Sequence, residues 1–593
     1  MHYKILVNEY QKIEDTTKRL EMTDLLVELL KNTAFEDIEK VIYLTQGKLR
    51  PDYEGIELGL AEKLALKAIS EAYGKNVKDV ESLYLKLGDL GSVAEQICSS
   101  KSQKTLMGYD QEEERLTIDR VYNNFMSIAS LSGQSSQARK LKLFKELLNL
   151  AEPAEAKYLT RTIVGKLRLG IADKTIIDSL SVYLSGSKEL REEIEKVYSI
   201  YPDLGKIAEI LIRDGIEGVK NIRIETGVPV MSMLAERLPS IDEIIEKMGG
   251  KAAYEYKYDG LRMQVHVSKE KNVIYSRRLE NITQQFPDIL KYIKTAFKGE
   301  SAILDGEGVP IDPNTNQILP FQAVSHRRGR KYELTKAQEE YPVVLFLFDI
   351  LYLNGEDLTS LPYTERRALL IKNIVETDNI KIAQQIVSDD KEQIKRFFEK
   401  AIEDGCEGVV SKNVSEQSVY RAGAREFLWV KYKRDYQLAI EDTVDLVVIG
   451  AFSGRGSRNG TYGALLMASY NDKEDCFETV CKLGSGFTED QLFALPNLLK
   501  SYLLTHKHPR VVSEIVPDYW FEPYLVLELK GAEITISPSH TCCRDVLEKG
   551  AGLSIRFPRF TGRYRSDKSA EEATTSQEIQ ELYNNQLKKM SSA

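Results

Sequence analysis

The hydrophobic pattern of this chain changes period once, near Gly227–Val228–Pro229–Val230, and that change limits the folds open to it. Before it, apolar residues recur at helical spacing. Phe35, Ile38 and Ile42 fall at i, i+3 and i+7, and the stretch stops near Gly47 with Pro51 soon after. Leu25, Leu26, Leu29 and Leu30 make a similar stripe. Leu141, Leu143, Leu147, Leu148 and Leu150 make another, ended by Glu152–Pro153, and a further helix is expected from Ala154 through Gly170. No repeat period runs through these helices. After Gly227 the apolar residues alternate, as in Arg262–Met263–Gln264–Val265–His266–Val267 and Val273–Ile274–Tyr275, and strands mix with helices to about Arg434. A charged connector, Lys431–Tyr432–Lys433–Arg434–Asp435–Tyr436, opens a third region. There Leu446–Val447–Val448–Ile449–Gly450 and Ala464–Leu465–Leu466–Met467 flank a glycine-rich loop from Gly454 to Gly460, which predicts a small β-barrel. A tail helix starts at Thr575–Ser576–Gln577–Glu578, a capping box. It carries Ile579, Leu582, Tyr583 and Leu587 on one face, expected to dock on a neighbouring domain. The pattern therefore predicts an all-α domain over 1–225, an α+β domain over 226–435 and a β-barrel domain with a C-terminal helix over 436–593.

Length agrees with this division, since 593 residues accommodate roughly three to five domains with their own cores. A net charge of −9 argues against indiscriminate nucleic-acid binding, so any such contact must come from local basic patches. The six cysteines show no C-x-x-C spacing, and adjacent Cys542 and Cys543 do not resemble a zinc pair. Scattered cysteines suit a reducing compartment, and no apolar run approaches the ~20 residues that span a membrane. Met1 is followed by a short amphipathic stretch rather than a targeting signal. The expectation is a soluble, cytoplasmic protein. One basic run, Lys157, Arg161, Lys166 and Arg168 among small residues, could lie along a duplex backbone; the alternative is a solvated helix face.

The chemistry centres on Tyr254–Glu255–Tyr256–Lys257–Tyr258–Asp259–Gly260, a Lys-x-Asp-Gly sequence. A lysine that attacks phosphorus must first lose its proton, yet free lysine titrates near ~10.4, a handicap of roughly 4 kcal/mol at neutral pH. Nearby cations and partial desolvation remove much of it. Alone, the same residues would read as a strand ending in an Asp-Gly turn. Further stretches follow in order. Tyr275–Ser276–Arg277–Arg278 offers cations beside a strand. Leu304–Asp305–Gly306–Glu307 and Asp404–Gly405–Cys406–Glu407–Gly408 each place a carboxylate after a tight turn. Phe346–Leu347–Phe348–Asp349–Ile350 is an apolar strand able to stack an aromatic on a base. Trp429–Val430–Lys431–Tyr432–Lys433 puts two lysines on one side of a strand. Glu307 and Glu407 are the hard oxygen donors Mg²⁺ takes, and Lys431 and Lys433 would stabilise charge on a transferring phosphoryl group.

Seven ordered stretches carry a resemblance to the ATP-dependent DNA ligases, most like the archaeal replicative type. They are Lys257–Tyr258–Asp259–Gly260, Ser276–Arg277, Asp305–Gly306–Glu307, Phe348–Asp349, Glu407–Gly408–Val409–Val410, Lys431–Tyr432–Lys433, and Arg556–Phe557–Pro558–Arg559 with Arg565–Ser566–Asp567–Lys568. The resemblance spans nearly the whole chain. It implies a helical DNA-binding domain, an adenylation (nucleotidyltransferase) domain and an oligonucleotide-binding (OB-fold) barrel. It also implies ATP and Mg²⁺ (or Mn²⁺) as cofactors, nicked duplex DNA as partner, and a monomer without membrane association. Lys257 would become adenylylated, and Glu255 would read the adenine edge. Arg262 and Arg277 would hold ribose and phosphate, while Phe348 stacks on the base. Glu307 and Glu407 would serve metal and ribose, and Arg425, Lys431 and Lys433 would reach phosphate. Arg559, Arg565 and Lys568 on the barrel would orient pyrophosphate.

The chain departs from the family pattern at two places. Ser276–Arg277–Arg278 stands where Ser-Arg-Asn is common, so no role carries over to Arg278. Gln103–Lys104–Thr105–Leu106–Met107 stands where archaeal relatives carry a sliding-clamp segment, without its aromatic pair. Rival readings are an RNA ligase or capping guanylyltransferase, which the large domain before Lys257 disfavours, and an NAD-dependent ligase, which the missing cysteine cluster disfavours. A non-catalytic DNA clamp would have no need of intact Lys257, Glu307, Glu407 and Lys431.

Overall fold

Helices form where the apolar stripes predict them. Arg19–Lys31 buries Leu26, Leu29 and Leu30, Ile38–Thr45 buries Ile38 and Ile42, and Ser136–Leu150 buries Leu147 and Leu148. The computed structural model describes residues 1–58, 60–102, 115–133, 136–312, 318–319, 327, 338, 341–433, 443–454, 461–531 and 533–592. Helices from Tyr3–Asp15 to Leu204–Lys220 share one apolar core. The helix expected to reach Gly170 is Pro153–Ile163 and stops short. Gly165 (φ 70°) and Arg168 (φ 59°) are left-handed, so the chain turns out of the helix and the second half of the basic run lies on a loop.

Beyond Gly227 the alternating segments build two sheets. One has five strands in the order Leu234–Arg237, Arg425–Lys433, Gly408–Asn413, Ala252–Lys257, Gln385–Ser388. The other runs Val273–Ser276, Leu261–Val267, Ala302–Pro310, Val343–Leu353, Glu356–Asp357, with Ile380–Ile382 added beside Val343–Leu353. Tyr254, Val409 and Val430 from the first sheet and Val309 from the second share a core. The two sheets therefore meet beside the loop Tyr258–Gly260 that joins them.

The third region curls around the strand Thr443–Ser453, which pairs with Tyr462–Asn471, Tyr519–Phe521 and Val526–Lys530. Arg559–Tyr564 joins the free side of Val526–Lys530. This is an OB-fold-like sheet domain, so the chain is built as a helical domain, a nucleotidyltransferase-type domain and a barrel. The tail helix Ser576–Ser592 starts at the expected cap, with Glu578 N donating to Thr575 Oγ1 (3.1 Å) and Thr575 N to Glu578 Oε2 (2.9 Å). Its apolar face, Ile579, Leu582 and Tyr583, packs on the barrel that precedes it rather than on a neighbouring domain. Gln103–Met107, the connector beyond Lys433 and most of the Gly454–Gly460 loop lie outside the described residues.

The three domains touch one another. Tyr53 meets Tyr275 edge-on at 6.4 Å. Met231 N donates to Ser199 O at 2.7 Å. Arg19 pairs with Asp178 (3.2 Å) in the helical domain and with Asp475 (3.4 Å) in the barrel.

Candidate active site

Lys257 is the last residue of its strand, and Gly408 is its partner in the neighbouring antiparallel strand. Glu407 N donates to Lys257 O at 2.9 Å, which fixes the two chains side by side. The Glu407 carboxylate then lies 2.5 Å from Lys257 Nζ and 2.8 Å from Lys433 Nζ. Burial alone would push its carboxyl up, but Lys257 and Lys433 hold it well below the usual carboxylate range. Gly408 makes the approach possible. It sits at φ 150°, and a Cβ there would lie 2.1 Å from Tyr432 O.

The opposite wall comes from the second sheet, where Arg262 stands across from Glu307. Arg262 donates to both Asp305 oxygens (3.1 and 2.6 Å) and to Met233 O (2.8 Å), and its guanidinium lies 5.4 Å from the Phe348 ring centre. Asp305–Gly306–Glu307 is not a turn, as its letters suggested. It is the middle of the strand Ala302–Pro310, and the glycine is there because a Cβ would meet Phe346 O at 2.9 Å. Burial pushes the Glu307 carboxyl up to about 8 against the pull of Lys257 and Arg262, with Glu407 adding repulsion.

Deeper in, Glu255 is 2% exposed. Tyr363 Oη, Arg367 (3.1 Å) and Gln385 (3.3 Å) donate to its Oε1, and Lys412 Nζ lies 2.7 Å from Oε2. Lys412 was not anticipated. Burial lowers its pKa, and its ammonium sits over the rings of Phe348 (4.9 Å), Tyr363 (4.7 Å) and Trp429 (4.3 Å). The usable signal was strand alternation, which puts Lys412 and Val410 on one face of Gly408–Asn413.

A cavity of about 210 Å³ joins these groups, and the barrel closes its mouth with Arg563, Arg565, Asp567 and Lys568. Arg565 pairs with Asp445 (2.6 Å) and Asp567 (2.7 Å), and Lys568 pairs with Asp445. Burial would raise the Asp445 carboxyl, but Lys568 and Arg565 pull it down to about 2. Burial, with Arg565 alongside, pushes Lys568 down to about 8. Arg563, also unanticipated, lies 3.6 Å from Asp259 of the Lys-x-Asp-Gly loop. Arg559 is exposed and does not line this cavity, although it shares a strand with Arg563. From beyond the barrel strands, Glu572 meets Arg277 at 2.5 Å, and Glu578 meets Arg425 (2.9 Å) and Lys431 (3.1 Å). Lys431 is pushed down to about 7, by burial first.

The basic run of the helical domain is placed differently from a duplex-facing stripe. Arg161, 5% exposed, donates to Glu14 (2.9 Å) and Asp89 (2.9 Å). Arg168 lies 3.7 Å from the same Asp89, Lys157 2.9 Å from Glu14, and Lys166 2.6 Å from Glu62. Buried arginine needs a carboxylate, and Glu14 and Asp89 supply it, so Arg161 is turned inward rather than toward phosphate.

Three family profiles match the chain in order: the DNA ligase N terminus over residues 2–181, the ATP dependent DNA ligase domain over 232–433, and the ATP dependent DNA ligase C terminal region over 458–568. The chain belongs to the ATP-dependent DNA ligases. DNA ligase 2 of Thermofilum pendens is 51% identical over 99% of this chain and 98% of its own length. The DNA ligase of Caldivirga maquilingensis is likewise 51% identical over 99% and 98%. That of Thermoplasma volcanium is 50% identical over 99% of both chains. A ligase of this family uses ATP to seal nicks in duplex DNA through a covalent lysine–AMP intermediate. Among the described residues of this ligase, no helix is long and apolar enough to cross a membrane.

Proposed function

We propose that Lys257 carries the AMP, and that the cavity between the two sheets and the barrel is where it is transferred. The observation that supports this most is Lys257 Nζ at a cavity lined on one side by Arg262, Glu307 and Lys431 and on the other by Arg565 and Lys568. The Lys257 amine, having lost its proton, attacks the α-phosphate. A P–N bond forms, the bond to the β-phosphate oxygen breaks, and pyrophosphate leaves. A 5′-phosphate oxygen at the nick next displaces Lys257 from the AMP. Finally the 3′-hydroxyl attacks the activated 5′-phosphorus, AMP leaves with the bridging oxygen, and the phosphodiester closes. Cations act here by position and by stabilising developing charge.

In this reading Phe348 stacks on adenine, Glu255 reads its edge, Arg262 and Arg277 hold ribose and phosphate, and Arg425, Lys431 and Lys433 reach phosphate. Arg565 and Lys568 orient pyrophosphate. Glu307 and Glu407 fit a divalent cation. Both open on one cavity, where Glu407 adds repulsion to the buried Glu307 carboxyl that a further positive charge would relieve. A bound Mg²⁺ or Mn²⁺ would supply charge neutralisation for the phosphates. We also assign domains at 1–225, 226–435 and 436–593, action as a nucleoid-associated monomer, and phosphate contact through Lys166. The test is gel detection of a covalent adduct with labelled ATP, GTP or NAD, with and without nicked duplex, on wild type and Lys257→Ala. Adduct on the variant at the wild-type rate would remove Lys257 from the mechanism.

A further inference from the structure

The cations of the proposed triphosphate site already hold carboxylates, and two of those carboxylates come from an unexpected place. Asp305 and Glu407, which hold Arg262, Lys257 and Lys433, belong to the same domain as their partners. Glu572 and Glu578, which hold Arg277, Arg425 and Lys431, belong to the end of the chain, beyond the barrel strands. All three of these cations line the cavity beside Lys257. The glutamates are nonetheless well buried, Glu572 with 16% and Glu578 with 4% of the side chain exposed.

Local structure aims both of them. Ser569 and Glu572 form a capping box, and Thr575 and Glu578 form the same reciprocal pair one step later. Each glutamate thus has its backbone fixed at the start of a helix while its carboxylate reaches across to the other domain. Ion pairs serving only to hold the barrel together would lie within it. These run from the tail to the central domain, and they end on the groups expected to bind phosphate.

We propose that Glu572 and Glu578 are an internal stand-in for the polyphosphate of ATP. They keep Arg277, Arg425 and Lys431 paired in the closed, nucleotide-free enzyme, and the incoming triphosphate displaces them. Carboxylate and phosphate oxygens are equivalent acceptors for guanidinium and ammonium donors. The exchange therefore leaves no buried cation unpaired, which would otherwise be costly at this interface. ATP then competes with the chain's own tail for these three cations, while Arg565 and Lys568 keep their place at the cavity mouth. Nucleotide binding and the tail's hold on these cations become linked. This rests on the assignment of the cavity as the ATP site.

The test uses the full-length enzyme carrying Glu572→Gln, Glu578→Gln or both. Glutamine still completes a capping box, so the helix starts survive and only the charge is lost. The readouts are the ATP concentration giving half-maximal adduct formation and inhibition by inorganic tripolyphosphate. The double variant should reach half-maximum at about fivefold lower ATP or less, and tripolyphosphate should inhibit it more strongly by a similar factor. Half-saturation and tripolyphosphate inhibition equal to or weaker than wild type would overturn the proposal and leave the glutamates as structural pairs. Absence of any ATP adduct on wild type would instead fail the site assignment itself, so the two failures are told apart.

Discussion

Glu407 Oε2 lies 2.5 Å from Lys257 Nζ, and the same oxygen lies 2.8 Å from Lys433 Nζ. One carboxylate therefore balances both lysines before nucleotide binds, and it must be shared again once phosphate or metal arrives. Lys257→Ala should lower sealing of an ordinary nick by at least about three orders of magnitude, with no adduct. It should keep measurable sealing of a nick supplied already adenylylated, because that step needs no lysine–AMP bond. Glu307→Ala and Glu407→Ala should each slow adenylylation, with at most partial rescue by raised Mg²⁺. Unchanged rates across a Mg²⁺ titration in both variants would make them ordinary structural residues.

Gly408 makes a second test of the same geometry. A Cβ at this position would sit 2.1 Å from Tyr432 O, a backbone atom that cannot swing aside. Gly408→Ala should push the strand Gly408–Asn413, with Glu407 just before it, away from Arg425–Lys433, at a cost of about 3 kcal/mol. Melting temperature and adduct yield should both fall. A variant with wild-type values for both would mean the strands have slack that the register does not suggest.

How far the site could be read from sequence depended on the reach of each signal. Lys257, Glu407 and Lys433 were legible because each belongs to a short run whose glycines and alternation fix it locally. Asp305–Gly306–Glu307 misled as a turn, because a glycine admitting a tight turn and one admitting a close neighbouring strand are the same letter. Arg161 misled because its partners, Glu14 and Asp89, are 147 and 72 residues away in the chain. Glu578 was read correctly as a helix cap, but nothing local tells that its other oxygen reaches Lys431, 147 residues before it. Arg563 escaped for the same reason, since only folding brings it to the cavity, whereas Lys412 had a signal in the alternation of its strand.

Arg161 leads to a prediction that separates a structural from a DNA-contacting role. Arg161→Ala leaves Glu14 and Asp89 without their main counter-charge in a buried setting, and should destabilise the helical domain by about 3 kcal/mol. Denaturant unfolding checks this. Lys166→Ala, on a partly exposed side chain, should barely change stability. If Lys166 contacts phosphate, it should flatten the salt dependence of nick binding by about 0.9. The opposite assignment of the two effects would restore Arg161 to the DNA face.

Acid should unfold this ligase partly through His266, where the pattern first changes near Gly227. Gly227 N donates to His266 Nδ1 at 3.0 Å, and Nε2 faces Gln264 Oε1 at 3.0 Å, which fixes the neutral tautomer. Burial pushes the imidazole down to about 3 from its ordinary 6.5. The unfolded chain therefore takes up the proton first. The stabilisation is complete above pH 6.5 and is lost as pH falls toward 3, at about 1.4 kcal/mol per pH unit for one proton. His508, also pushed down to about 3 by burial, contributes in the same direction. His266→Gln keeps an acceptor for Gly227, so the acid limb of stability against pH should become shallower by one proton. An unchanged limb would mean that His266 does not carry this proton difference.

The barrel motif gives the last prediction. Arg565 and Lys568 share Asp445 and line the mouth of the Lys257 cavity, while Arg563 reaches Asp259 across the domain boundary. In this closed arrangement they face the place where pyrophosphate would leave. Duplex DNA bound between the domains would require the barrel to move and present another surface. Arg565→Ala and Lys568→Ala should therefore depress ATP-dependent adenylylation by on the order of a hundredfold, the scale for removing a donor from a site of developing charge. Sealing of a pre-adenylylated nick should fall far less, because the barrel has swung away by then. If the motif were instead part of the DNA grip, both rates would fall together and nick affinity with them. Single-turnover rates of the two steps on the same variants decide it, and equal losses would sink the closing barrel.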